Sequence, residues 1–236
     1  MSTGFIVDER NQLQEIRSAG FPRQHAALRL AAKIISYIFH PVFVPLYLVL
    51  FMVYVDPYLF IGFAGWDKTR IVLMAILLFT FFPVITVLLL KALDFIRSVY
   101  LTSQKDRIIP LIACMTWYFW VWFVWQKMGK SNDEIIMPVE AIQLALGIFF
   151  SSILGLMANI IMKISLHAIS MGVMLAFIFL LAFSQPLHFG IYISAALLIA
   201  GAVCTSRFIV SDHFTKEVYG GLAVGIISQL FAYMVA

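Results

Sequence analysis

Charged residues are scarce in this chain. Lys, Arg, Asp and Glu make up only 12% of its 236 residues, whereas 63% of the residues are hydrophobic and the mean hydropathy is +0.98. No water-soluble domain needs that much apolar surface, so this composition excludes a soluble globular protein and predicts a multi-span membrane protein. In such a protein the net charge of +4 reports on loop orientation rather than on nucleic-acid binding.

Cysteine is nearly absent as well. Cys114 and Cys204 both lie in apolar runs, which excludes a disulfide framework and a zinc cluster built from thiolates. The N-terminal region also lacks the pattern of a signal peptide, because its polar part is too long and no small-residue cleavage pattern follows. We expect residues 1–33 to form a polar N-terminal segment and residues 34–236 to form one membrane domain.

Seven apolar runs predict an all-α, polytopic bundle of about seven spans, six at the least. The predicted spans are residues 34–55, 71–90, 108–125, 141–162, 168–183, 190–205 and 218–236. His40-Pro41 and Pro45 lie inside the first span, where we expect a kink. Three polar clusters follow the second, fourth and sixth spans. Since two crossings separate each cluster from the next, all three are predicted to lie on one face of the membrane.

The three clusters hold the residue types of a phosphoryl-transfer site. They contain Lys105 and Arg107, then Ser165 and His167, then Ser206, Arg207, His213 and Glu217. In a helix that begins at His213, Glu217 faces it from position i+4, where a carboxylate fixes the imidazole tautomer and leaves the other nitrogen free to attack. Guanidinium groups bind phosphate oxygens, and a second imidazole protonates the leaving oxygen.

Two other interpretations of the same residues remain open at this point. His167, His213 and Glu217 are also possible metal ligands, although the cations beside them would repel a divalent ion. The polar run 206–217 is also what a positively charged loop end before an ordinary helix would contain.

The last cluster has the spacing of a known motif, and with it the chain resembles the type 2 phosphatidic acid phosphatase superfamily of membrane lipid phosphatases. The third motif of that family is Ser-Arg, five residues, His, three residues, Asp. The chain has Ser206-Arg207, five residues, His213, three residues and then Glu217, so the spacing matches throughout and Glu replaces Asp.

The other two motifs of the family match in part. Of the second, Pro-Ser-Gly-His, Ser165 and His167 are present. The first, Lys, six residues, Arg-Pro, has its residue types in Lys105, Arg107 and Pro110 at a compressed spacing. The resemblance covers roughly residues 90–236 and leaves the N-terminal third unassigned.

The resemblance implies a metal-independent hydrolase without a cofactor, acting on a membrane lipid phosphate or diphosphate through a phosphohistidine. It implies that His213 is the nucleophile, Glu217 its orienting acid and His167 the general acid. The residues that would hold phosphate are Lys105, Arg107, Ser165, Ser206 and Arg207. We expect residues 34–236 to be a phosphatase-like domain in the lipid bilayer, with no nucleic acid as partner, in a bacterial inner membrane.

Two related functions remain alternatives. A lipid phosphotransferase would use the same residues and pass the phosphoryl group to an acceptor other than water. A non-catalytic relative would only bind or transport an anionic lipid, and the altered second motif favours it. Retention of both histidines and the acid favours an enzyme, because binding alone needs only the cations.

Overall fold

The computed structural model describes residues 5–7, 13–15, 24–101, 103–130, 136–185, 188–210 and 213–236. Within these residues, six helices are long and apolar enough to cross a membrane, which confirms the predicted all-helical bundle. A short antiparallel pair, β1 (Phe5–Val7) and β2 (Leu13–Glu15), precedes the helices in the N-terminal segment.

The helices follow one another along the rest of the chain. They are α1 (Ala26–Ile38), α2 (Val44–Leu50), α3 (Gly65–Ala75), α4 (Phe82–Ala92), α5 (Gln104–Lys130), α6 (Val139–Ile161), α7 (Leu166–Ser184), α8 (Gly190–Val210) and α9 (Thr215–Val235). Two π-helical stretches, Phe51–Val55 and Ile76–Phe81, continue α2 and α3, so α3 and α4 form one span. Pro83 has no N–H for the usual helical hydrogen bond, and the helix widens just before it.

The first predicted span, residues 34–55, is wrong as a single helix. α1 ends at Ile38, α2 begins at Val44, and a turn separates them. Proline disfavours a helical conformation of the residue before it, so Pro41 stops α1, whereas Pro45 is tolerated in the first turn of α2. The expected kink is therefore a full break, and it leaves His40 between two short helices.

The other six predicted spans are confirmed to within a few residues, except that the second also begins six residues earlier. The fifth and sixth, predicted as residues 168–183 and 190–205, extend to Leu166–Ser184 and Gly190–Val210. Arg207 and Glu217 consequently lie inside helices. Ser165 and His213 lie just before α7 and α9, respectively.

α7 is the most deeply buried of these helices, and it packs against α9, α8, α6 and α2. Its closest neighbour is α9, because a Cβ atom on Gly172 or on Gly225 would collide with the backbone of the other helix. Gly221 and Gly225 have the four-residue spacing by which membrane helices approach closely. This glycine contact holds the start of α7, with His167, against the start of α9, with Glu217.

Candidate active site

The three polar clusters meet at one end of the bundle, as predicted. Arg107 Nη1, near the start of α5, donates to the carbonyl oxygen of Ile164 at 2.7 Å. The backbone N–H of Ser165, which precedes α7, donates to the carbonyl oxygen of Glu217 in α9 at 3.1 Å. These hydrogen bonds join the clusters into one site.

His213 and Glu217 form a buried pair at the N-terminus of α9. His213 Nδ1 and Glu217 Oε2 are 2.6 Å apart, and the same oxygen accepts the backbone N–H of Phe214 at 3.2 Å. Phe214 is the N-cap of α9, so the carboxylate accepts a backbone donor next to the helix end and lies where the helix dipole favours negative charge. Glu217 therefore holds His213 with the proton on Nδ1, and Nε2 is the nitrogen left to react.

The surroundings of His213 favour its neutral form. Burial lowers the pKa of this imidazole below its ordinary value, and the positive charges of Arg107 and Arg207 lower it further. Glu217 acts in the opposite direction without reversing the shift. An unprotonated Nε2 is the form that a nucleophilic histidine requires.

Arg107 is fixed by backbone carbonyls. Its Nε donates to Leu101 at 2.8 Å, in addition to the bond from Nη1 to Ile164. Leu101 has φ of 48°, a left-handed conformation that costs an L-residue about 1–2 kcal/mol. Leu101 thus supplies, from this conformation, one of the two carbonyls that hold the guanidinium in place before a ligand binds.

Arg207 ends a chain of hydrogen bonds through two serines. Its Nη1 donates to Ser36 Oγ at 3.2 Å, and Ser36 Oγ lies 2.9 Å from Ser206 Oγ. Ser206 donates its own proton to the carbonyl of Val203 at 2.7 Å, so Ser36 must donate to Ser206. Ser206 thus orients Arg207 through Ser36.

His167 lies in the first turn of α7, and its Nε2 is 3.0 Å from the carbonyl oxygen of Ser36. A carbonyl oxygen only accepts hydrogen bonds, so Nε2 carries a proton. Nδ1 is then the nitrogen of His167 that can exchange a proton with a ligand.

A cavity of about 520 Å³ adjoins these groups. His167, Arg207, His213 and Arg107 line it together with His40. Apolar side chains of α2, α4, α5 and α7 line the remainder, among them Val44, Leu48, Val84, Leu88, Leu111 and Val173. Such a cavity suits a molecule with an anionic end and a hydrocarbon body.

Three of the predicted phosphate ligands do not line this cavity. Lys105 is exposed, because residues two apart on a helix point in nearly opposite directions and Arg107 faces inward. Ser165 is fully buried and caps α7, its Oγ accepting the N–H of Ala168 at 3.4 Å. Ser206 is buried behind Ser36. Ser165 and Ser206 therefore support the site from behind and do not line the cavity where a ligand would bind.

Two residues of the N-terminal third belong to the site although the family resemblance did not reach them. Ser36 connects Arg207 and His167, and His40 lines the cavity. For His40 the sequence did contain a signal, because a histidine lies beside a proline inside an apolar run. A polar residue within a membrane segment often serves a function.

The fold identifies the chain as an integral, multi-pass membrane protein. Compared with models of known protein families, with curated proteins and with solved structures, the chain matches none. Within the described residues, no group of three or more His, Cys, Asp or Glu side chains is placed to hold a metal ion. The site itself is therefore the basis for inferring an activity.

Cysteine labelling checks that the motifs share one face. Lys105→Cys and Lys216→Cys replace exposed residues at the starts of α5 and α9, so both should react with an impermeant maleimide from the same side. Trp66→Cys and His188→Cys, an odd number of crossings away, should react only from the other side. The unsubstituted chain gives the background from Cys114 and Cys204, and opposite sidedness of the two lysine positions would contradict the topology.

Proposed function

We propose that this protein is a membrane phosphatase that hydrolyses a lipid phosphate or lipid diphosphate through a phosphohistidine. The observation that supports it best is the buried pair of His213 and Glu217, 2.6 Å apart, beside a cavity that Arg107 and Arg207 also line. Binding a phosphate would require the guanidinium groups but not a neutral imidazole oriented by a carboxylate.

In the first step, His213 Nε2 attacks phosphorus, and a nitrogen–phosphorus bond forms as the bond to the lipid oxygen breaks. Glu217 stabilises the positive charge that grows on the imidazole, while Arg107 and Arg207 stabilise the non-bridging oxygens. The leaving oxygen takes a proton from Nδ1 of His167. The bond from Nε2 to the Ser36 carbonyl stabilises the doubly protonated ring that this step needs.

In the second step, Nδ1 of His167 takes a proton from water, and the hydroxide attacks phosphorus. The nitrogen–phosphorus bond breaks with its electron pair returning to His213, and inorganic phosphate leaves. Both histidines are then as they were before the first step. A phosphotransferase would differ only in using a hydroxyl group of an acceptor in place of water.

The test is phosphate release by the purified full chain in nanodiscs, with chelator present. Phosphatidic acid, an isoprenyl phosphate and an isoprenyl diphosphate would be offered in turn, and His213→Ala is the matched inactive variant. Release of phosphate that depends on His213 supports hydrolysis, whereas a phosphorylated acceptor alcohol in place of free phosphate identifies a transferase. Binding of anionic lipid without any phosphate release would overturn the proposal.

The pH dependence of kcat/KM should report the protonation state of His213. Because burial and the two arginines lower the pKa of His213 below 6.5, the acidic limb of kcat/KM should lie below that pH. Glu217→Gln removes the carboxylate that raises this pKa, so the acidic limb should move to still lower pH while the rate falls about 10²-fold or more.

Glu140→Gln provides the control for that variant, since Glu140 lies in the first turn of α6 and does not line the cavity. Its profile should coincide with that of the wild type. An acidic limb that moves to higher pH in Glu217→Gln would contradict the assignment of His213.

A further inference from the structure

His40 lies in the non-helical turn between α1 and α2. It lines the same cavity as Arg107, Arg207 and His213. Its ring packs edge to face on His167, with the ring centroids 5.3 Å apart and the planes at 83°. A third imidazole is thus in contact with the proposed general acid, and the mechanism above does not use it.

The hydrogen bonds of His40 fix where its proton lies. The backbone N–H of Val42 donates to His40 Nδ1 at 3.4 Å, so Nδ1 is an acceptor and the neutral ring carries its proton on Nε2. Within the part of the chain that the structure describes, Nε2 has no hydrogen-bond partner. Nε2 is not enclosed by protein atoms, so an acceptor that enters the cavity can reach this N–H.

The neighbouring charge keeps this ring neutral. Burial lowers the pKa of His40 to about 4, and the positive charge of Arg207 contributes to the shift. A neutral donor adds a hydrogen bond at a site that already contains two guanidinium groups, without adding a further positive charge. An anion with several acceptor oxygens is the ligand that these donors would bind together.

We propose that His40 is a phosphate-binding residue, which donates from Nε2–H to a non-bridging oxygen of the ligand held by Arg107 and Arg207. The inference rests on the proposed function only in taking the ligand to be a phosphate. Binding of inorganic phosphate needs no turnover, so it is measured independently of hydrolysis.

The experiment is calorimetric titration of the purified full chain with inorganic phosphate, using His40 variants that separate the two ring nitrogens. The amide oxygen of His40→Asn can still accept the Val42 N–H, but no donor remains at the position of Nε2. His40→Gln places an amide N–H near the position of Nε2. A hydrogen bond to a charged ligand corresponds to roughly a 10- to 100-fold change in affinity, so His40→Asn should lose about that factor and His40→Gln should recover most of it.

His25→Asn is the matched control. His25 Nδ1 accepts the N–H of Ala27 at 3.4 Å, the same contact that His40 makes with Val42, but His25 is exposed and does not line the cavity. This variant should bind phosphate like the wild type. Unchanged affinity of folded His40→Asn would show that His40 only packs against His167, and the inference would be wrong.

If His40→Asn does not fold, measurements on His40→Phe and on the wild type test the inference instead. His40→Phe keeps a ring against His167 without a donor, so retained phosphate affinity in that variant overturns the inference and lost affinity supports it. In wild-type protein with nitrogen-labelled histidine, phosphate should shift the Nε2 resonance of His40, and an unchanged resonance would also overturn the inference. A chain that binds phosphate through His40 yet hydrolyses no lipid would reject the phosphatase and leave this site intact.

Discussion

Replacing His213 with Ala is expected to abolish both phosphate release and the covalent phosphoenzyme. Loss of a nucleophile that forms a covalent intermediate costs about 10⁴-fold or more in rate. The intermediate should be labile in acid and stable in base, as expected of a nitrogen–phosphorus bond, and rapid quenching of the reaction would capture it. His188→Ala, an exposed histidine before α8, should retain full activity.

His167→Ala should behave differently. An alkoxide is a poor leaving group that needs a proton, whereas an activated aryl phosphate does not, so this variant should lose far more activity on the lipid than on the aryl substrate. It should also still accumulate phosphoenzyme with the aryl substrate. If His213→Ala accumulates phosphoenzyme and His167→Ala does not, the two roles are reversed.

The second large effect is expected from Gly225→Val. A side chain at Gly225 would meet the backbone of α7, which cannot move aside as the end of a flexible side chain would. Overpacking of a core costs about 1–3 kcal/mol and sometimes more, so thermal unfolding should move to clearly lower temperature. Because the same contact aligns α7 with α9, activity should fall further than the loss of folded protein explains.

Gly201→Val makes the same change in helix propensity without the collision. Gly201 lies within α8 with open space around it, so this variant should unfold close to the wild-type temperature and keep its activity. Equal effects of the two substitutions would show that helix propensity, rather than the approach of α7 and α9, explains the loss.

The pair of His213 and Glu217 was predictable because it is local. Four residues separate the two positions, and the contact forms although α9 begins at Thr215 rather than at His213. The helix phase at the start of α5 was not predictable in the same way. Lys105 and Arg107 have similar chemistry, and only the packing of α5 against its neighbours decides which of them faces inward.

The contacts that bring Ser36 and His40 into the site could not be predicted from the sequence, for a different reason. Ser36 meets His167 across 131 positions and Ser206 across 170 positions of the chain. Those contacts depend on the break at Pro41 and on the packing of α1 against α8. Residues 34–55 are one apolar run in hydropathy whether or not the helix is continuous. Hydropathy therefore predicted a single span there and could not show that the helix is broken.

That break has a consequence for the bilayer itself. His40 lies with the motifs at one end of the bundle and Gly65 begins the next span at the other, so Val44–Val55 has to carry the chain most of the way across. Its seven α-helical and five π-helical residues extend no more than about 18 Å at the α-helical rise of about 1.5 Å per residue, against a hydrocarbon thickness of about 30 Å. A bilayer beside this element would be hydrophobically mismatched, and local thinning is one way in which a membrane accommodates a short element. Lipid headgroups there would sit deeper than those of their neighbours, so a phosphate would reach Arg107 and Arg207 with little lifting of its chain out of the leaflet.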